Sequence, residues 1–145
     1  MKSQFRHVVL SALLVSIATA GSLYAQSDER VQVVKRFFNG QRMLITYRNG
    51  GPVYGTYFFL DVHFCPSGRY TTFAQSRKQT VLNNEQVNNW RDDGMWDVVG
   101  SEEGIVLRYL SSSGQRNAVP VRLLSDGQVS VDGVSIVRRG AALCR

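Results

Sequence analysis

Residues 128–138 read Gln128-Val129-Ser130-Val131-Asp132-Gly133-Val134-Ser135-Ile136-Val137-Arg138. Two short runs flank an Asp-Gly pair, the combination that supplies the positive φ angles a two-residue hairpin turn demands. Side chains alternate faces along a strand, so Val129, Val131, Val134 and Ile136 line one face and the serines the other. An isolated hairpin is barely stable in water, so this ribbon requires further strands to cover its apolar face.

Moving outward from the hairpin, the same grammar recurs. Ile105, Leu107 and Tyr109 alternate in one run, and Val119, Val121 and Leu123 in the next, with Arg108 and Arg122 on the opposite faces. Turn clusters separate the runs at 100–104, 111–116 and 125–127. Upstream, strands are expected over 41–48, 54–65, 69–77 and 94–99, divided by Asn49-Gly50-Gly51-Pro52 and Pro66-Ser67-Gly68. The polar stretch 78–93 reads as a loop with a helical turn near Glu85-Gln86-Val87. Eight short strands joined by short turns make up-and-down antiparallel neighbours. The expected fold is all-β: a small up-and-down barrel of about eight strands, with a β-sandwich as the alternative.

One short helix precedes the strands. Ser27 is placed to cap it, and Asp28 and Glu29 fall in the first turn, where the helix dipole favours negative charge. Val31, Val34, Phe37 and Phe38 make an apolar stripe, and Asn39-Gly40 is the stop. A helix of about 11 residues is not stable alone. It is expected to cover an apolar strand face or to plug a barrel mouth.

The first 25 residues have the parts of a cleavable secretory signal: Lys2 and Arg6, then an uncharged apolar run from Val8 to Ala18, then small residues. Cleavage is expected after Ala25, with Ala20 the second choice, and the mature protein is expected in the periplasm or outside the cell. The apolar run is shorter than the roughly 20 residues that a bilayer span takes, so no membrane span is expected after cleavage. The organisation is then signal 1–25, helix 26–40 and barrel 41–145. Two cysteines in a small exported chain read as one disulfide, Cys65–Cys144.

The net charge is +6 for the whole chain, of which Lys2 and Arg6 belong to the signal. The remaining arginines are scattered, whereas nucleic-acid binders concentrate charge in a stripe. Nucleic acid is therefore not an expected partner.

The hairpin Cys65-Pro66-Ser67-Gly68-Arg69-Tyr70, the strand start Gly94-Met95-Trp96-Asp97-Val98 and the ending Asp126-Gly127-Gln128-Val129-Ser130-Val131-Asp132-Gly133-Val134 carry a resemblance. Over residues 41–139 the chain resembles the small lipocalin-like β-barrels of exported bacterial proteins, mostly of unassigned function. The resemblance implies a barrel and brings no catalytic residues with it.

Catalytic readings are poorly supplied. His63 is the one histidine after the signal, on the same strand face as Asp61 and Cys65. Neighbours two apart on a strand stand roughly 6.5–7 Å apart, too far for the hydrogen bonds of a triad, and a disulfide consumes the thiol. Asp61 and His63 give two metal ligands where a structural site wants four. Asp92-Asp93 and Glu102-Glu103 read as solvated turn residues, and Ser111-Ser112-Ser113-Gly114 as a turn without the nucleophile frame. No metal and no cofactor is expected. The expected function is a non-enzymatic, exported binding module. It holds a small apolar ligand in a barrel cavity lined by Trp96, Leu107, Tyr109 and Val121, or contacts an envelope protein. The alternative is a periplasmic inhibitor or immunity-type protein acting through the 78–93 loop.

Overall fold

The computed structural model describes residues 28–51, 54–79 and 84–144. The expected signal peptide, the Ser27 cap and Pro52 of the first turn lie outside the described residues. A helix, α1, covers 28–38. Eight strands follow: β1 (Gln41–Asn49), β2 (Thr56–Phe64), β3 (Arg69–Gln79), β4 (Glu85–Ser101), β5 (Gly104–Ser111), β6 (Arg116–Leu123), β7 (Val129–Ser130) and β8 (Val134–Ala141). They form a single sheet in the order β7-β6-β5-β4-β3-β2-β1-β8, every pairing antiparallel. The sheet curls until β8 lies beside β1, and the Val131–Val134 bridge joins β8 back to β7. This is a nearly closed up-and-down barrel of lipocalin-like architecture with one N-terminal helix. A sandwich needs two facing sheets, and one continuous sheet replaces them.

The hairpin of residues 128–138 forms as its sequence dictates. Val134 N–H donates to the Val131 carbonyl at 3.1 Å, and Gly133 takes a φ of 70°. At the other end of the chain, Asn39 N–H closes the last helical turn on the Lys35 carbonyl, and Gly40 leaves with a φ of 71°. The helix then seals one end of the barrel. Val34 is 0 % and Phe38 1 % exposed, packed with the inward residues Met43, Val62, Phe64, Trp96, Val98, Leu107 and Val121. Rings interlock there: Phe38 against Phe64 at 5.0 Å and Phe64 edge-on to Trp96 at 5.2 Å.

One expectation is corrected. The stretch 78–93 is not a loop: β3 runs to Gln79, and Glu85–Asp93 is the first half of β4, in register with β3 from Gln79↔Glu85 to Thr71↔Asp93. Its apolar alternation is absent because every residue from 84 to 91 is exposed, on both faces. Cross-strand pairs hold it instead. Gln75 donates to Asn89 at 2.9 Å, Arg91 lies over the Phe73 ring at 4.3 Å, and Trp90 meets Phe58 edge-on at 6.3 Å. Since β4 pairs with β5 only from Gly94 onward, residues 85–92 stand above the barrel rim with one edge unpaired by any strand among the described residues. Gly94 marks the fork. A Cβ there would lie 2.0 Å from the Leu110 carbonyl oxygen, so only glycine lets the two strands approach this closely.

Candidate functional site

The barrel has a sealed end and an open end. At the open end, β2, β3 and the first half of β4 make a tall wall, while β5 stops at Ser111 and leaves a low one. Period two assigns the inner face of the tall wall to Phe58, Leu60, Ala74, Ser76 and Trp90, continued on β1 by Ile45 and Tyr47. These positions point inward, yet Ile45, Tyr47, Phe58 and Leu60 remain partly exposed and Trp90 is 39 % exposed. Tyr109, Asn117 and Val119 face them from the low wall, also partly exposed. The bowl is therefore aromatic and wet. Tyr47 and Phe58 stack at 4.7 Å with their planes 7° apart, and Trp90 sets its edge against Phe58.

A polar cluster sits at the base of the tall wall. Tyr70 hydroxyl donates to Asp92 Oδ2 at 2.7 Å, and Ser111 hydroxyl donates to Asp92 Oδ1. Ser113 Oγ lies 2.9 Å from Ser111 Oγ. Thr72, the register partner of Asp92, is buried beside them. Burial, then the hydrogen bond to Asp92 and its charge, push the Tyr70 phenol far above its usual range, so it stays a proton donor. Tyr109 is raised by burial first, then by the Tyr47 phenol and the Asp92 carboxylate. Burial raises Tyr47 as well.

The residues expected to line a cavity divide between the two ends. Tyr109 faces the bowl, 6.0 Å from the Tyr70 ring. Trp96, its register partner on β4, lies with Leu107 and Val121 in the sealed core, and Trp96 Nε1 donates to the Cys65 carbonyl at 3.1 Å. Sequence reasoning did not find Tyr47, Phe58, Trp90 or Asp92 as a group. The period-two pattern on β2 was a usable sign, but Asp92 and Trp90 fell in the stretch taken for a loop.

A depression of about 740 Å³ lies on the outer side of β4–β6, bordered by Pro66, Met95, Leu110 and Ala118 with Lys35 and Arg116. Trp96 and Tyr109 also border it. Lys35 is held there by Asp97 at 2.7 Å, and Asp97 is kept below the usual carboxylate range chiefly by that hydrogen bond.

The expected disulfide is present. Cys65 and Cys144 are bonded, with their Cα atoms 5.7 Å apart. His63 is 3 % exposed, and its Nδ1 accepts the Leu143 backbone N–H at 2.8 Å. That bond seats the C-terminal tail beside Cys65. Asp61 Oδ1 stands 3.7 Å from His63 Nε2, but its stronger partner is Arg42, which donates to both carboxylate oxygens at 2.9 and 2.6 Å. Among the described residues no group of three or more His, Cys, Asp or Glu is arranged to hold a metal ion, and no helix is long and apolar enough to cross a membrane. No known protein family, no curated protein and no solved structure matches this chain.

Proposed function

We propose that this protein is an exported, non-enzymatic binding module that holds a small, largely apolar molecule in the open end of its barrel. One observation carries the reading: a band of inward-facing aromatic side chains stays partly exposed at one end, while the helix buries its counterparts at the other. Burying partly exposed apolar surface is worth roughly 25 cal/mol per Å², and a concave, mostly apolar wall with a few polar groups is the usual make-up of a ligand site. Export is supported by the signal-like residues 1–25 and by the disulfide.

Titration with the neutral apolar probe N-phenyl-1-naphthylamine tests this, with Trp90 as the reporter and buried Trp96 as the internal reference. Saturable quenching that weakens in Tyr47→Ala and Phe58→Ala is the expected result. Binding that survives both variants but falls in Met95→Ser would move the site to the outer depression. No saturable binding would sink the proposal.

A second reading has its own observation, the free edge of β4. Asp93 C=O receives Ser112 N–H on the β5 side, so alternation sends the backbone groups of Val87, Asn89 and Arg91 toward that open edge. An extended segment of an envelope protein is able to add there as a strand. Copurification from the native periplasm, lost when Asn89 is replaced by Pro, is its test.

A further inference from the structure

We propose that the ligand of the open bowl carries a protonated amine, and that Asp92 is the group that receives it. The inference rests on the bowl being the ligand site. Its own evidence is the setting of one carboxylate. Asp61 is paired with Arg42, Asp97 with Lys35 and Arg108, Asp93 with Arg69 and Asp132 with Arg122. Asp92 faces inward, is partly buried, and has no Lys, Arg or His within ion-pair distance among the described residues. The arginines of its own hairpin, Arg69, Arg77 and Arg91, belong to the outer face, where Arg69 meets Asp93 and the other two lie over Phe59 and Phe73. Two hydroxyls, from Tyr70 and Ser111, are its described hydrogen-bond donors.

A carboxylate oxygen accepts about two hydrogen bonds. Each oxygen of Asp92 therefore keeps one lone pair after Tyr70 and Ser111 are satisfied. The charge itself is uncompensated in a place where water is partly excluded, which strengthens any ionic contact. An ammonium group supplies both the donors and the countercharge. Above it the wall suits the rest of such a ligand. Trp90 stands on the same strand face one pleat higher, and Phe58 and Tyr47 continue the surface toward the mouth. Two pleats of strand give roughly 13 Å from Asp92 to the rim, room enough for an aryl or short alkyl amine. Aromatic faces also attract cations directly. An anionic ligand, by contrast, would meet the Asp92 charge at the base of the wall.

Matched pairs of probes test this on the mature, disulfide-bonded protein: 2-phenylethylamine against 2-phenylethanol, and hexylamine against hexanol, by calorimetry at neutral pH. The amine of each pair should bind at least about tenfold more tightly than its alcohol. Raising the salt concentration should weaken the amine and leave the alcohol unchanged. In Asp92→Asn, which keeps the shape and the capacity to bond Tyr70 and Ser111, the amine preference should collapse to about one. Alcohols binding the wild type as tightly as amines would overturn this inference and leave the bowl standing as a ligand site. An amine preference that persists in Asp92→Asn would also overturn it. Failure of both amines and both alcohols to bind would overturn the bowl as well.

Discussion

The two ends of this barrel are built from the same alternating strands, and they come out opposite. At one end, inward side chains meet α1 and disappear: Met43 joins Val34 and Phe38 of the helix as the most deeply buried large side chains among the described residues. At the other, inward side chains of the same kind meet no covering element among the described residues, and Tyr47, Phe58 and Trp90 stay in contact with water. Alternation tells which way a side chain points. Whether that direction leads to core or to a site depends on what lies across the opening, which is a property of the helix and of the strand lengths. The sealed end is also latched. The tail is tied there by Ala142 N–H to the Gly40 carbonyl, by Leu143 to His63 and by the disulfide.

The strongest way to break the contrast is to release that latch. Replacing both Cys65 and Cys144 by Ala opens a loop spanning a sequence separation of 79, and the chain-entropy relation gives a loss of about 4–5 kcal/mol. Urea unfolding of the two proteins measures it. Next comes the plug. Phe38→Ala empties a site that is 1 % exposed in contact with Phe37 and Phe64, and should cost about 3 kcal/mol. The same truncation at the open end should be far milder. Phe58→Ala removes a ring that is already partly hydrated, so about 1 kcal/mol is expected in the same denaturation, while probe affinity falls. If Phe58→Ala destabilised the fold as much as Phe38→Ala, the open end would be core and the ligand bowl would be lost as an idea.

Much of the architecture was legible because it depends on local chemistry. Asp132-Gly133, Pro66-Ser67-Gly68 and Asn39-Gly40 fixed turns, and Ile105, Leu107 and Tyr109 fixed a face. The pairing of Cys65 with Cys144 followed from there being two cysteines. The site was legible only in part, for a physical reason. Residues 85–93 form a strand through backbone pairing to β3 and side-chain pairs such as Gln75–Asn89, without a buried face. A pattern that reports burial is silent where nothing is buried. Trp90 and Asp92 therefore looked like loop residues. Trp96 and Val121 looked like cavity residues because they point inward, and the depth to which α1 fills that end is not written in their own strands.

The smallest expected effect lies on the outer wall of the latched end and depends on pH. Arg42 donates two hydrogen bonds to Asp61, and these, with the guanidinium charge, hold the Asp61 carboxyl below its usual range despite the opposing effect of burial. A carboxyl whose folded value is depressed binds its proton more weakly in the fold than in the unfolded chain. Its contribution is thus complete above the unfolded value of about 4 and drains away as pH falls through the lower folded value. Both side chains keep partial contact with water, so screening keeps the contribution of the pair small at neutral pH. Asp61→Asn should therefore melt slightly below the wild type at pH 7, and the two melting curves should converge on acidification below about pH 4. A more loosely held pair gives the control. Asp93, which meets Arg69 at 3.9 Å on an exposed wall, should give a smaller difference still when changed to Asn. If Asp61→Asn lowered the melting temperature equally at pH 7 and pH 3, the pair would be acting through shape and packing beneath the tail, and the latch would be steric rather than ionic.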